Sequence, residues 1–178
     1  MNIHDNHFAL FGLAERFGLD LPALDRAYRD VQTRVHPDRF AGGGAAEQRV
    51  ALQWATRANE AYRVLRDPLR RAIYLCALRG HDPADENNTH MAQEFLMQQL
   101  EWREALDDAR AENDSNKVEA LRAALVAKQG ALRDGVEGSL DTDEDVKTAA
   151  EHVRQWMFVE RFGEDVATVS DRLKAPVH

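Results

Sequence analysis

Arg34-Val35-His36-Pro37-Asp38-Arg39-Phe40 joins two helical patterns, one ending at Val35 and the other starting near Ala45. Proline at 37 disfavours helical geometry at His36 and supplies no backbone donor, so the first helix must stop here. His36 and Asp38 are thereby placed on a loop. An imidazole, a rigid proline and a carboxylate stand side by side there, groups that a partner's arginine or backbone amides could read. Alone, such a triplet is also an ordinary helix-ending turn, so its surroundings decide between the two readings.

Before the loop, Phe8-Ala9-Leu10-Phe11-Gly12-Leu13 is a short apolar helix or turn. Asp20 is then a candidate N-cap, with Pro22 in the first turn of a helix. Leu21, Leu24, Tyr28, Val31 and Val35 form its apolar stripe at spacings of three and four. Arg26, Arg29 and Thr33 project to the opposite side. That side is either a partner-binding basic face or a solvated charged one, since Asp25 and Asp30 interleave with the arginines. After the loop, Gly42-Gly43-Gly44 lets the chain reverse. A long helix then runs to about Leu65, with Val50, Ala51, Trp54, Ala55, Ala58, Ala61, Tyr62 and Leu65 on one side. Asp67-Pro68 restarts a short helix, which Gly80 stops.

Composition agrees with an all-α chain. Ala, Leu, Glu and Arg are frequent, aromatics amount to 7%, and no alternating strand pattern occurs among the 178 residues. No run of eighteen apolar residues predicts a membrane span, and the N-terminus lacks the basic and apolar regions of a signal peptide, so a cytoplasmic location is expected. The single cysteine, Cys76, follows Ile73-Tyr74-Leu75 and is expected to be a buried, inert thiol. Residues 1–75 carry 11 basic against 9 acidic side chains, net +2, and residues 76–178 carry 12 against 22, net -10. Such asymmetry predicts two modules with different partners. It also argues against nucleic acid binding by the second, which would repel phosphates.

Tyr28-Arg29, the His36-Pro37-Asp38 loop and Asn59-Glu60-Ala61-Tyr62-x-x-Leu65-x-Asp67-Pro68 together resemble the J-domain signature. The resemblance implies a hairpin that docks on a 70-kDa heat-shock chaperone and stimulates its ATP hydrolysis. His36, Pro37 and Asp38 would act there with Arg26, Arg29, Arg34 and Arg39. Arg39 stands where many members carry lysine.

A polar, turn-rich linker at 79–89 separates this J-domain, residues 1–78, from an acidic second module at 90–178. Three antiparallel helices are predicted in the second. The first follows Thr89 as N-cap and runs to about Ala111; the next follows a turn at 113–115; the last is capped by Thr142 with Asp145 in an approximate capping box. On the first, Met91, Phe95, Trp102, Leu106 and Ala109 supply a core face, whereas Leu96, Met97, Leu100 and Glu104 project elsewhere. On the last, Val146, Ala149, Ala150, Val153, Trp156 and Met157 form one face, and Phe158 points about 100° away from Met157. This extra apolar stripe is either an interaction patch or packing against the first module or the tail beyond Gly163.

Phe95-Leu96-Met97-Gln98-Gln99-Leu100-Glu101-Trp102-Arg103-Glu104, with the acidic bundle and the chain length, is similar to the HscB co-chaperones of iron-sulfur cluster biogenesis. That resemblance implies an IscU-type scaffold bound through Leu96, Met97, Leu100, Glu101, Glu104 and Phe158, with an HscA-type chaperone as the second partner. Nothing predicts catalysis. The seven histidines have no metal-ligand spacing, Gly42-Gly43-Gly44 lacks the lysine of a phosphate loop, and the carboxylates are spread over helix faces. No enzyme activity, cofactor or metal is expected. The alternatives are a J-domain adaptor for a different client, or a structural adaptor that self-associates through the Leu96/Phe158 patch.

Overall fold

The computed structural model describes residues 5–35, 42, 44–85 and 91–174. Within them the chain forms seven helices and no strand: α1 (His7–Leu10), α2 (Leu21–Val35), α3 (Ala45–Arg66), α4 (Pro68–Leu78), α5 (Gln93–Ala111), α6 (Ser115–Asp141) and α7 (Val146–Lys174). They fall into two compact units, Met1–Leu78 and Arg79–His178. The chain is all-α, as its composition predicts.

In the first unit α2 and α3 form an antiparallel hairpin. Asp20 Oδ1 accepts from Ala23 N at 3.2 Å and caps α2; Asp67 Oδ1 accepts from Arg70 N at 2.8 Å and caps α4. Ala51, Ala55, Ala58 and Ala61 are buried along α3, and their small side chains let the helices approach closely. Leu24, Val31, Leu65, Leu75 and Phe8 fill the remaining core. Cys76 is fully buried among them. Leu21 and Val50, expected in the apolar stripes, are exposed. Leu21 is the first residue of α2, and Val50 lines an open apolar cleft with Val35, Ala51 and Trp54.

The second unit is a three-helix bundle. Glu119 accepts from Lys174 Nζ at 3.2 Å, Gln129 donates to Glu160 at 2.6 Å, and Gly135 faces His152, so α6 and α7 run antiparallel over most of their length. An alanine Cβ at 135 would come within 2.9 Å of the His152 ring, so glycine sets how closely the two helices approach. Phe95 meets Phe158 and Trp102 meets Phe162, which places α5 parallel to α7. At the start of the unit, Arg79 Nη1 donates to Leu140 O at 2.8 Å, and Asp82 Oδ1 holds a local turn through Ala84 N.

Three expectations are corrected. The helix predicted to follow Thr89 begins at Gln93 instead, with Ala92 in the N-cap position and no side-chain cap; Thr89 itself lies outside the described residues. Thr142 is the C-cap of α6 rather than the N-cap of α7. Asp145 takes the second role, its carboxylate accepting from Thr148 N at 3.1 Å and from Thr148 Oγ1 at 2.6 Å. The tail beyond Gly163 is not separate, because α7 runs unbroken through that glycine to Lys174. A helical glycine costs about 1 kcal/mol against alanine, whereas burying Phe162, Val166 and Val169 on the same helix contributes about 1.5–3 kcal/mol each.

Candidate functional site

The first candidate surface is on α2. Arg26, Arg29 and Arg34 are all exposed. Asp25 is tied across the hairpin, its Oδ1 accepting from Tyr62 Oη at 2.9 Å and from Arg66 Nη1 at 2.6 Å, which leaves Asp30 as the exposed carboxylate among the arginines. The Tyr62 hydrogen bond, followed by the Arg66 guanidinium, holds the Asp25 carboxyl below its ordinary range. Burial, followed by the Asp25 bond, pushes the Tyr62 phenol up. Tyr28 stacks on Tyr62 with centroids 4.1 Å apart and donates to Asn59 Oδ1 at 2.8 Å. This polar and aromatic seam fixes the register of α2 against α3 and so the direction in which the arginines face. Sequence reasoning missed it, since pairing between residues some forty positions apart leaves no periodic signal. His36, Pro37, Asp38 and Arg39 lie outside the described residues.

The second candidate surface is on α5. Phe95, Trp102, Leu106 and Ala109 enter the core, which leaves Leu96, Met97 and Leu100 exposed at 50%, 55% and 51%. Glu101 and Glu104 are exposed beside them. At 100° per residue these five fan over about 140° of the helix. Leu96 and Leu100 fall toward the side that carries Arg103. Met97 and Glu101 fall toward Lys128 of α6 and Gln155 of α7, with which they line a shallow cleft.

Phe158 does not stand off the core as its position predicts. Its ring is half-buried, edge-on to Phe95 at 5.7 Å and stacked on Phe162 at 5.8 Å, with the Arg103 guanidinium 5.9 Å from its centroid. The reason is α5, which packs against the side of α7 that the α6 interface leaves open. Sequence periodicity sees one core direction per helix, whereas α7 has two neighbours. The six residues therefore divide into five exposed on α5 and one aromatic wedged between α5 and α7. Among the described residues no group of His, Cys, Asp and Glu could hold a metal ion, and no helix is long and apolar enough to cross a membrane.

Chain and architecture both have known relatives. The chain is 52% identical over 174 residues to the co-chaperone protein HscB homolog of Burkholderia multivorans, covering 98% of this chain and 99% of that one. The chain belongs to the HscB co-chaperone family. The HscB homolog of Paraburkholderia phymatum is 51% identical over 172 residues, covering 97% and 98% of the two chains. A sequence profile described as the HSCB C-terminal oligomerisation domain matches residues 91–167. Among solved structures, chaperone HscB from Vibrio cholerae superposes with a TM-score of 0.78 at 35% identity, over 95% of this chain and 99% of that one. Human co-chaperone HscB superposes with a TM-score of 0.81 at 26% identity, over 94% and 83%. As an HscB the chain is a J-type co-chaperone of iron-sulfur cluster assembly.

Proposed function

We propose that this HscB binds an IscU-type scaffold protein through α5 and presents it to an HscA-type 70-kDa chaperone, whose ATPase it stimulates. The observation that carries the reading is the exposed Leu96, Met97 and Leu100 beside Glu101 and Glu104, held on a helix whose opposite side is locked into the bundle. The scaffold covers the three apolar side chains together with the exposed edge of Phe158, and the two glutamates set charge and register. In the first unit Arg26, Arg29, Arg34 and Arg39 meet the chaperone's acidic surface, and His36, Pro37 and Asp38 trigger hydrolysis. No side chain performs chemistry. The co-chaperone contributes binding energy, and by carrying both surfaces on one chain it raises the effective concentration of scaffold at the chaperone to the millimolar range, roughly.

The test separates the two surfaces. Asp38→Asn is expected to abolish stimulation of HscA-type ATPase in single-turnover assays while leaving calorimetric scaffold binding unchanged. Retained stimulation, or loss of both activities in a folded variant, contradicts the division of labour. A second reading, self-association through the second unit, is favoured by the oligomerisation description of the matching profile. Concentration-dependent dimerisation in sedimentation that Leu100→Ala abolishes would support it over scaffold binding at this face.

A further inference from the structure

Beyond Phe158 the surface between α5 and α7 changes character. A cleft of about 510 Å³ opens there, with Leu106, Phe158 and Phe162 among its lining residues and Arg103, Arg110, Arg161 and Arg172 around it. Two carboxylates, Asp107 and Asp165, also line it, so the cleft is net cationic. None of the four cleft arginines takes part in an ion pair among the described residues, unlike Arg66 with Asp25, Lys117 with Glu112 and Lys174 with Glu119. This is unexpected in a unit where acidic side chains outnumber basic ones. Residues 76–178 carry 22 acidic against 12 basic residues, yet four of the twelve gather here. Like charges held together repel one another, and an anionic partner relieves that repulsion.

We propose that this cleft is a docking groove for an acidic segment of a partner protein. Guanidinium groups are suited to that task, because their planar donors match carboxylates in pairs. The aromatic floor adds a place for an apolar side chain, which a site for free inorganic anions would not need. A polynucleotide or an anionic membrane fits less well, since either extends past the cleft over the acidic remainder of the unit. A short acidic peptide meets only the arginines.

The cleft also continues the α5 face. Leu96, Leu100, Arg103, Asp107 and Arg110 follow one another at spacings of three and four, so they form one line down the helix. That line is about 21 Å long at 1.5 Å per residue. It is apolar in its first half and cationic in its second. A partner that matches the whole line carries an apolar patch followed by carboxylates.

The experiment is a fluorescence anisotropy titration of the full chain with a fluorescein-labelled peptide, Glu-Glu-Phe-Glu-Glu-Leu-Glu, and with its lysine counterpart. The acidic peptide is expected to bind and the lysine peptide not. Binding should weaken about tenfold in Arg110→Gln/Arg161→Gln and fade as salt rises to about 0.5 M. Both arginines are exposed, and Arg172→Gln, near the end of α7, provides an independent variant should the double one misfold. Equal affinity in the glutamine variants, binding of the lysine peptide, or no binding by the native chain overturns the proposal. So does single-stranded RNA or a phosphatidylglycerol vesicle binding through these arginines where the acidic peptide does not.

Discussion

Replacing Leu96 and Leu100 together by alanine tests the client surface with the least structural collateral. Each leucine is half-exposed, at 50% and 51%. Complete burial of a leucine is worth about 1.5–3 kcal/mol, so about half of that is still available to a partner. Truncation to alanine removes most of it, about 1 kcal/mol per residue and about 2 kcal/mol for the pair. At 1.4 kcal/mol per tenfold, calorimetry with an IscU-type scaffold should record an affinity roughly 30-fold weaker. Folding stability should change by no more than about 0.5 kcal/mol per site, as is usual for exposed positions. Phe158→Ala is the contrasting variant. Its ring packs on Phe95 and Phe162, so it should weaken binding and also destabilise the bundle by about 2 kcal/mol, less than the 3–5 kcal/mol of a fully buried phenylalanine. Scaffold affinity within about threefold of the native chain in the leucine variant would refute the assignment of the face.

Two further variants address stability. Gly130→Ala lies on an open side of α6 with no neighbour within 4 Å of the new Cβ, and should raise the melting temperature through a gain of about 0.5–1 kcal/mol. Gly135→Ala gains the same propensity but drives a Cβ into the His152 ring; overpacking at about 1–3 kcal/mol outweighs it, so the melting temperature should fall. His7 is stacked on Tyr74 at 4.2 Å, and burial, followed by the Arg57 charge, lowers its pKa below the ordinary 6.5. The unfolded chain therefore binds the proton more readily, and the stability that His7 contributes is full above pH 6.5 and declines as the pH falls below it. Amide exchange in α4 should accelerate between pH 7 and pH 5, roughly, once corrected for the intrinsic rate. His7→Phe, which keeps the stack, should flatten that dependence.

Helix content, the α2–α3 hairpin and the caps at Asp20 and Asp67 were legible because periodicity, proline and capping act over a few residues. Cys76 was legible for the same reason, sitting in a short apolar run. Less legible were features set by a third body. Phe158 turns inward because α5 covers a second side of α7. Gly163 stays helical because the residues around it pack against α6 and α5. The Asp145 cap shows the limit of local rules: the capping-box pattern places the N-cap at Thr142, but α6 runs on to Asp141 and takes Thr142 as its C-cap, so α7 is capped three residues later, by Asp145. Of the candidate site, the exposed stripe on α5 could be read as the residue left over from its core face. The arginine cleft could not, because Arg103 and Arg110 stand 51 to 69 residues from Arg161 and Arg172 in the chain.

The three bundle helices are unequal in length. α6 and α7 span 27 and 29 residues and pack along each other, while α5 spans 19 and touches both more sparingly. Among the described residues, the shortest and least embedded helix carries three of the bundle's four exposed large apolar side chains, Leu96, Met97 and Leu100; the fourth, Val126, is on α6. In the hierarchy of local openings, α5 should separate from the α6–α7 pair before that pair separates, so its amides should exchange first. A bound client then acts as a fourth layer over α5, and its affinity appears twice: once in a titration, and again as the slowing of hydrogen exchange along residues 93–111.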